Sequence, residues 1–303
     1  MMQVELAAKR PFSLWEVFKR FKTKISITFL LVIAESILDL LFPLFIGFAI
    51  NTLLQQNFDG VLALGGLGVL ALLIGSGRRF YDTRAYANIY TALASEMVVQ
   101  EQANKTAVSA TAARATLLTE LVEFLENSVP AIVTSLIGLV GILIIIFSLS
   151  QPVFWAALGL FGFMSLIYLL SGKKNYQLNQ AYNDQLEKQW SVLNSQKMDS
   201  INTHFGRMMH WNIKLSDLET LNFSLIWLGI IGLLVYAPIV VIDSGVTNYG
   251  LVFSLLMYVF QYIESVVALP LFAQQLIRLQ EISSRLGSPQ PTQTNHTGDH
   301  NEK

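Results

Sequence analysis

"AESILDLLFPLFIGFA", residues 34–49, sets two carboxylates, Glu35 and Asp39, one helical turn apart in a stretch that is otherwise soluble in lipid. Pro43 follows four residues after Asp39. Whether this is a core helix or a membrane span decides the fold, and the rest of the chain answers. Of 303 residues, 53% are hydrophobic and 14% are charged, with a mean hydropathy of +0.49. A soluble domain carries about 25% charged residues. The composition is that of a polytopic membrane protein. A net charge of −1, with no basic patch rich in aromatics, argues against a nucleic-acid partner. The absence of cysteine excludes disulfides, thiolate metal sites and a cysteine nucleophile. Two of the four histidines, His296 and His300, sit in a polar tail, so no metal site is expected.

A bilayer core takes about 20 apolar residues in helical form. Six stretches qualify: 25–54, one beginning at Val61, one ending near Ser148, 152–171, Phe223–Ile242, and one starting near Tyr249. The first is far longer than the about 7–15 residues of a signal-peptide core, and reads as a retained span. The connections "QQNFDG", "SLSQP" and "DSGVTNYG" are short; two others are long and polar-amphipathic. All 20 Lys and Arg fall in the N-terminal segment, the two long connections and the C-terminal segment. By the positive-inside rule, both termini and both long connections are cytoplasmic. On this count Arg78, Arg79 and Arg84 belong to the cytoplasmic connection, and no base lies within a span to neutralise the acids there.

The long connections carry helix formers rather than turn residues. "YANIYTALASEMVVQEQANK" extends the second span, and "NYQLNQAYNDQLEKQWSVLNSQKM" extends the fourth, with Tyr182, Leu186, Trp190 and Leu193 at helical spacing. The expectation is two long helical hairpins, reversing near "TAVSAT" (106–111) and near "SINTHFG" (200–206). Trp190 and Trp211 are expected to pack between the long helices, and His204 and His210 to be solvated. "PFSLWEVFKRFK", 11–22, places Phe12, Trp15, Phe18 and Phe21 opposite Lys19, Arg20 and Lys22, the pattern of an interfacial helix. The tail "GSPQPTQTNHTGDHNEK", 287–303, lacks apolar content and reads as disordered.

Six spans, an elbow helix and two cytoplasmic hairpins make an all-α polytopic membrane fold that resembles the six-helix transmembrane domain of ABC exporters. "ILDLLFPLFIGFAINTLL" is similar to that family's first helix, with Pro43, Gly47 and Asn51. "LFAQQLIRLQEISSRL" is similar to the end of its sixth, with Arg285. The resemblance divides the chain into an N-terminal segment with the elbow, 1–23, a transmembrane domain, 24–286, and a tail, 287–303. It implies a multi-pass protein of a bacterial inner membrane that moves a substrate by alternating access. Its implied partners are lipid, a second copy or paralogue, and a separate ATPase subunit carrying ATP and Mg; this chain itself would bind no cofactor. The resemblance also implies coupling helices at the hairpin tips: Thr106, Ala107, Val108 and Ser109 on the first, Asn202, Thr203, His204 and Phe205 on the second. The sequence departs from the family in two places. It holds no G-x-x-x-x-G-K-[ST] phosphate loop, and "SATAARATLL" replaces the family's usual first-hairpin stretch.

The first and sixth helices line the cavity in that family, which makes Glu35, Asp39, Gln261 and Glu264 the candidate substrate-cavity residues. Asp39 is 15 residues beyond Lys24 and Glu264 is 14 before Arg278, so the acids are expected at one level. Two roles stay open for them. One is an acidic belt for cationic amphipathic compounds. The other is structural, with carboxylates protonated or hydrogen-bonded beside the Pro43 kink. Paired-carboxylate hydrolysis is disfavoured by the same-helix spacing and the lack of any partner motif, so the chain is not read as an enzyme. Two other classes remain alternatives: a non-transporting scaffold or regulator with this fold, and an ion-coupled carrier using Glu35, Asp39 and Glu264.

Overall fold

Long apolar runs without turn residues fold as long helices, because every backbone donor and acceptor is then satisfied within the segment. The computed structural model describes residues 14–103, 108–243, 245 and 248–287. Its helices are α1 (Leu14–Arg20), α2 (Lys22–Leu54), α3 (Asp59–Ala103), α4 (Val108–Glu123), α5 (Val129–Leu149), α6 (Gln151–Glu187), α7 (Gln189–Asn194), α8 (Met198–Asp243) and α9 (Tyr249–Gly287). No strand occurs among the described residues. Six helical segments are long and apolar enough to cross a membrane: Lys22–Leu54, Asp59–Ala103, Thr111–Leu149, Gln151–Asn194, Met198–Asp243 and Tyr249–Gln280. Leu30, Leu72 and Leu169 on these segments are 67%, 66% and 78% exposed, a surface suited to lipid and not to water.

Local chemistry explains the breaks. Phe21 interrupts α1 and α2, but the ladder continues through it: its N–H donates to the Val17 carbonyl at 3.0 Å, and Ile25 N–H donates to the Phe21 carbonyl at 3.0 Å. Between α4 and α5, Phe124–Ser128 forms a π turn, with Val129 N–H donating to the Phe124 carbonyl. Pro130 lacks an N–H and its ring would strike the Glu126 carbonyl; widening the helix ahead of it relieves both.

The second reversal lies earlier than "SINTHFG". It falls at 195–197, between α7 and α8, with Gln196 in the left-handed region at φ 53°. Neither Gly nor Pro marks that turn, which is why the sequence hides it. Asn202, Thr203, His204 and Phe205 therefore ride on α8 instead of forming the tip. His204 is buried against α6, its Nδ1 2.8 Å from Gln185 Nε2, and is not solvated. Trp190, expected to pack, is 77% exposed, and Leu186 and Leu193 beside it are exposed too.

The chain divides into two units. One holds the described parts of 1–45, 57–141 and 267–303. Its core gathers Val17, Ile25, Tyr86, Ile89, Leu93, Met97, Leu118, Leu121, Val122 and Ile282 from five helices. Ion pairs staple its surface: Arg20 meets Glu96 through two bonds of 2.6 Å, Arg114 pairs with Glu101, and Arg278 with Glu120 at 3.2 Å. The Glu96 contact holds the Arg20 pKa above its ordinary value. Higher on α2, Ser36 Oγ lies 3.2 Å from Thr134 Oγ1, and a Cβ on Gly141 would stand 2.4 Å from Leu40 Cδ1.

The other unit comprises 46–56 and 142–266. Here α6 and α8 pack antiparallel, with Asn222 Nδ2 donating to Ser171 Oγ at 3.0 Å and Gly229 lying under Leu160 and Phe163. Tyr262, fully buried on α9, donates its hydroxyl to the Ala157 carbonyl at 2.6 Å. The end of α2 crosses the start of α9 with backbones in contact: a Cβ on Gly250 would lie 1.9 Å from the Gly47 carbonyl oxygen. Asn51 closes the crossing, accepting from Gly250 N–H at 2.9 Å and donating to Asn248 Oδ1 at 2.5 Å.

Gly250→Ala is expected to force this crossing apart and destabilise the protein by about 1–3 kcal/mol. Gly65→Ala, where an added Cβ meets nothing within 4 Å, is expected to be neutral or mildly stabilising. Thermal unfolding of the detergent-solubilised variants checks the contrast.

Candidate functional site

Depth along the helices locates the opening pair of acids. Glu35 lies 19 residues before Leu54 at the end of α2, and Arg78 lies 19 residues after Asp59 at the start of α3. At the helical rise both stand about 28 Å from the 55–58 turn, near the far edge of a hydrocarbon core about 30 Å thick. The two helices run antiparallel, so the residues meet. Arg78 Nε donates to Glu35 Oε2, and Arg78 Nη1 donates to Asp82 Oδ2 at 3.3 Å. Thr28 donates its hydroxyl to Asp82 Oδ1 at 2.6 Å, and buried Tyr86 bonds Thr28 in turn. Gly75 makes room, since a Cβ there would stand 3.0 Å from Glu35 Oε1.

This corrects the expectation that no base neutralises the acids of the spans. In the sequence Arg78 counts with a cytoplasmic connection because it adjoins a polar stretch. A residue at the membrane edge belongs to both regions, and its long side chain reaches a partner on either side. Glu35 is thus a paired carboxylate. Asp39, one turn along the same stripe, is exposed but within electrostatic reach of Glu35 and Arg78. Glu126, carried on the π turn, lies within reach of Asp82. Two carboxylates thus bond the Arg78 guanidinium, and Asp39 lies in electrostatic reach of it.

Gln261 and Glu264 belong to the other unit, on α9. Glu264 is exposed; Gln261 is half-buried, with its Oε1 buried and meeting no donor. An ionisable side chain within a span faces a bundle interior or a water-filled cavity, because hydrocarbon cannot solvate it. Exposure of Asp39 and Glu264 on otherwise apolar helices therefore requires water or protein beside each. Among the described residues, no group of three His, Asp or Glu stands where it could hold a metal ion.

Of the hairpin-tip candidates, Thr106 and Ala107 lie outside the described residues. Val108 and Ser109 open α4, both exposed, Val108 at 86%. On α8, Asn202, Thr203 and Phe205 are exposed while His204 is buried. Sequence reasoning missed Arg78, Asp82, Thr28 and Glu126. Equal counts of 19 from the 55–58 turn and the Arg78-to-Asp82 spacing of four were signals available in the sequence.

Residues 14–252 match the family model described as ABC transporter transmembrane region. A comparison with curated proteins returns no match. The family match covers well over half of the chain and falls on the helices described above. This chain therefore belongs to the ABC transporter transmembrane region family, as a multi-pass membrane component of an ABC-type transporter.

Proposed function

We propose that this chain is the membrane subunit of an exporter-type ABC transporter that moves amphipathic cations by alternating access. The carrying observation is the exposure of Asp39 and Glu264 on apolar spans, together with the sharing of Arg78 between two carboxylates, Glu35 and Asp82. Such acids favour a positively charged substrate in a wet path through the membrane.

The working unit in this reading is a dimer, with the second copy or a paralogue covering apolar surface such as Leu186, Trp190 and Leu193. The energy comes from ATP, bound with Mg on a separate ATPase subunit. That subunit docks at the two reversals, around Val108 and Ser109 on one hairpin and beside 195–197 on the other. The tips extend well clear of the bilayer: Ala103 is 25 residues, about 38 Å, beyond Arg78 along α3. The distribution of basic residues supports a cytoplasmic side for both tips and both termini, in a bacterium at the inner membrane.

Asp39→Asn combined with Glu264→Gln is expected to cut ATP-driven transport of a cationic dye into inverted vesicles at least about tenfold, with the amount in the membrane unchanged. Undiminished transport sinks the role of these acids. Dye movement that persists without ATP but stops when the proton gradient is collapsed would replace the ATP-driven reading with ion coupling.

The docking reading is tested separately. The chain has no cysteine, so single cysteines at Val108 and Gln196 report their surroundings cleanly. Both are expected to cross-link to an ATP-hydrolysing subunit, whereas a cysteine at lipid-facing Leu72 is not. Equal labelling at all three sites counts against docking at the tips.

A further inference from the structure

We propose that Arg78 is a resident counter-ion which a cationic substrate must displace from Glu35, and that it thereby selects which cations the site accepts. This rests on the cationic-substrate reading above. One guanidinium is shared by two carboxylates of unequal exposure: the Glu35 side chain is 22% exposed and that of Asp82 only 5%. Asp82 is further anchored by the Thr28 hydroxyl. Glu35 faces Arg78 on one side and the bare backbone at Gly75 on another. Asp39 stands exposed one turn away, in electrostatic reach of both Glu35 and Arg78.

The arrangement defines an exchange. An arriving cation meets Asp39 first and then competes with Arg78 for Glu35. Arg78 does not lose its counter-ion on yielding, because Asp82 sits one turn along its own helix, with Oδ2 already 3.3 Å from Nη1. A charge-assisted bond is normally about 2.7–2.9 Å, so this contact has room to tighten as the other opens. The forked guanidinium suits such sharing, since its donors point toward both carboxylates at once. A weakly interacting cation cannot replace Arg78 and is rejected. A cation that also gains apolar contact displaces it, and in doing so removes one tie between α2 and α3. Arg78 is thus a specificity-determining residue, and Asp82 is the positioning residue that receives it.

The test is direct titration of the purified full-length protein in lipid nanodiscs with rhodamine 6G, an amphipathic cation, read by fluorescence anisotropy. Arg78→Gln is expected to tighten binding at least about tenfold, because Glu35 is then free of its internal competitor. Asp82→Asn is expected to weaken it, since Arg78 then has nowhere to go. In a Glu35→Gln background, Arg78→Gln is expected to change nothing. A general field effect would leave its tightening intact there, and a purely structural role would weaken binding in both single variants. Arg78→Lys, which keeps the charge but not the fork, provides a milder variant if Arg78→Gln does not fold, and is expected to tighten binding by a smaller factor. Binding that is indifferent to Arg78, or tightening that survives loss of Glu35, overturns the exchange and leaves the cationic-substrate reading standing. No binding to the wild type or any variant overturns both.

Discussion

The pairing of Arg78 with Glu35 fixes how α2 meets α3, and much of one unit is arranged around it. A charge at the edge of hydrocarbon must be answered by another charge or by water. Removing one member of this part-buried pair leaves the other without its partner beside hydrocarbon. That penalty specifies register. The hairpin cannot slip by a turn without separating Glu35 from Arg78 and Thr28 from Asp82 together. Gly75 belongs to the same constraint, since a larger residue there would crowd the Glu35 carboxylate.

Different forces hold the two ends of the long helices. In the polar-rich half, water drives burial, and an ordinary apolar core forms from Ile89, Met97, Leu118 and Leu121, each at most 1% exposed. Lipid offers no such drive, since the tails are as apolar as leucine. The membrane contacts accordingly rely on close backbone approach and polar bonds. Gly47 against Gly250, Gly141 under Leu40, Ser36 beside Thr134 and the Asn51 clamp are all of this kind. All four of these contacts involve α2, so a single helix carries polar and small residues on several faces. That explains why the stretch around Glu35 and Asp39 looks so unlike a simple lipid-soluble run.

The architecture was legible in the sequence because spans, loops and hairpins are set by one-dimensional quantities: apolar length, charge asymmetry and the absence of turn residues. Each of the six membrane-capable helices contains one of the apolar runs, and their ends at the short loops agree within a few residues. What escaped depends on pairing in space. The turn at 195–197 relies on Gln196 accepting a left-handed backbone, which its residue type does not advertise. His204 became buried because α8 starts several residues earlier than its composition suggests. The π turn follows from Pro130, but its effect, bringing Glu126 near Asp82, requires knowing that α3 runs alongside. Arg78 was visible as a base and invisible as a partner, since assigning a residue to the nearest loop ignores the reach of its side chain.

Glu35 and Asp39 are the same chemistry on the same stripe, four residues apart, and their environments separate them. Glu35 holds a guanidinium and is mostly covered; Asp39 is open. A purely structural stripe would enclose both acids, since an open carboxylate in a span adds desolvation cost and no packing. A purely substrate-binding stripe would leave both open. The intermediate arrangement, with one acid free, one occupied by an internal cation and a third acid waiting beside that cation, is neither. It is the arrangement in which arrival of a positive charge at Asp39 has a mechanical consequence, because the charge it displaces is also the tie between two helices.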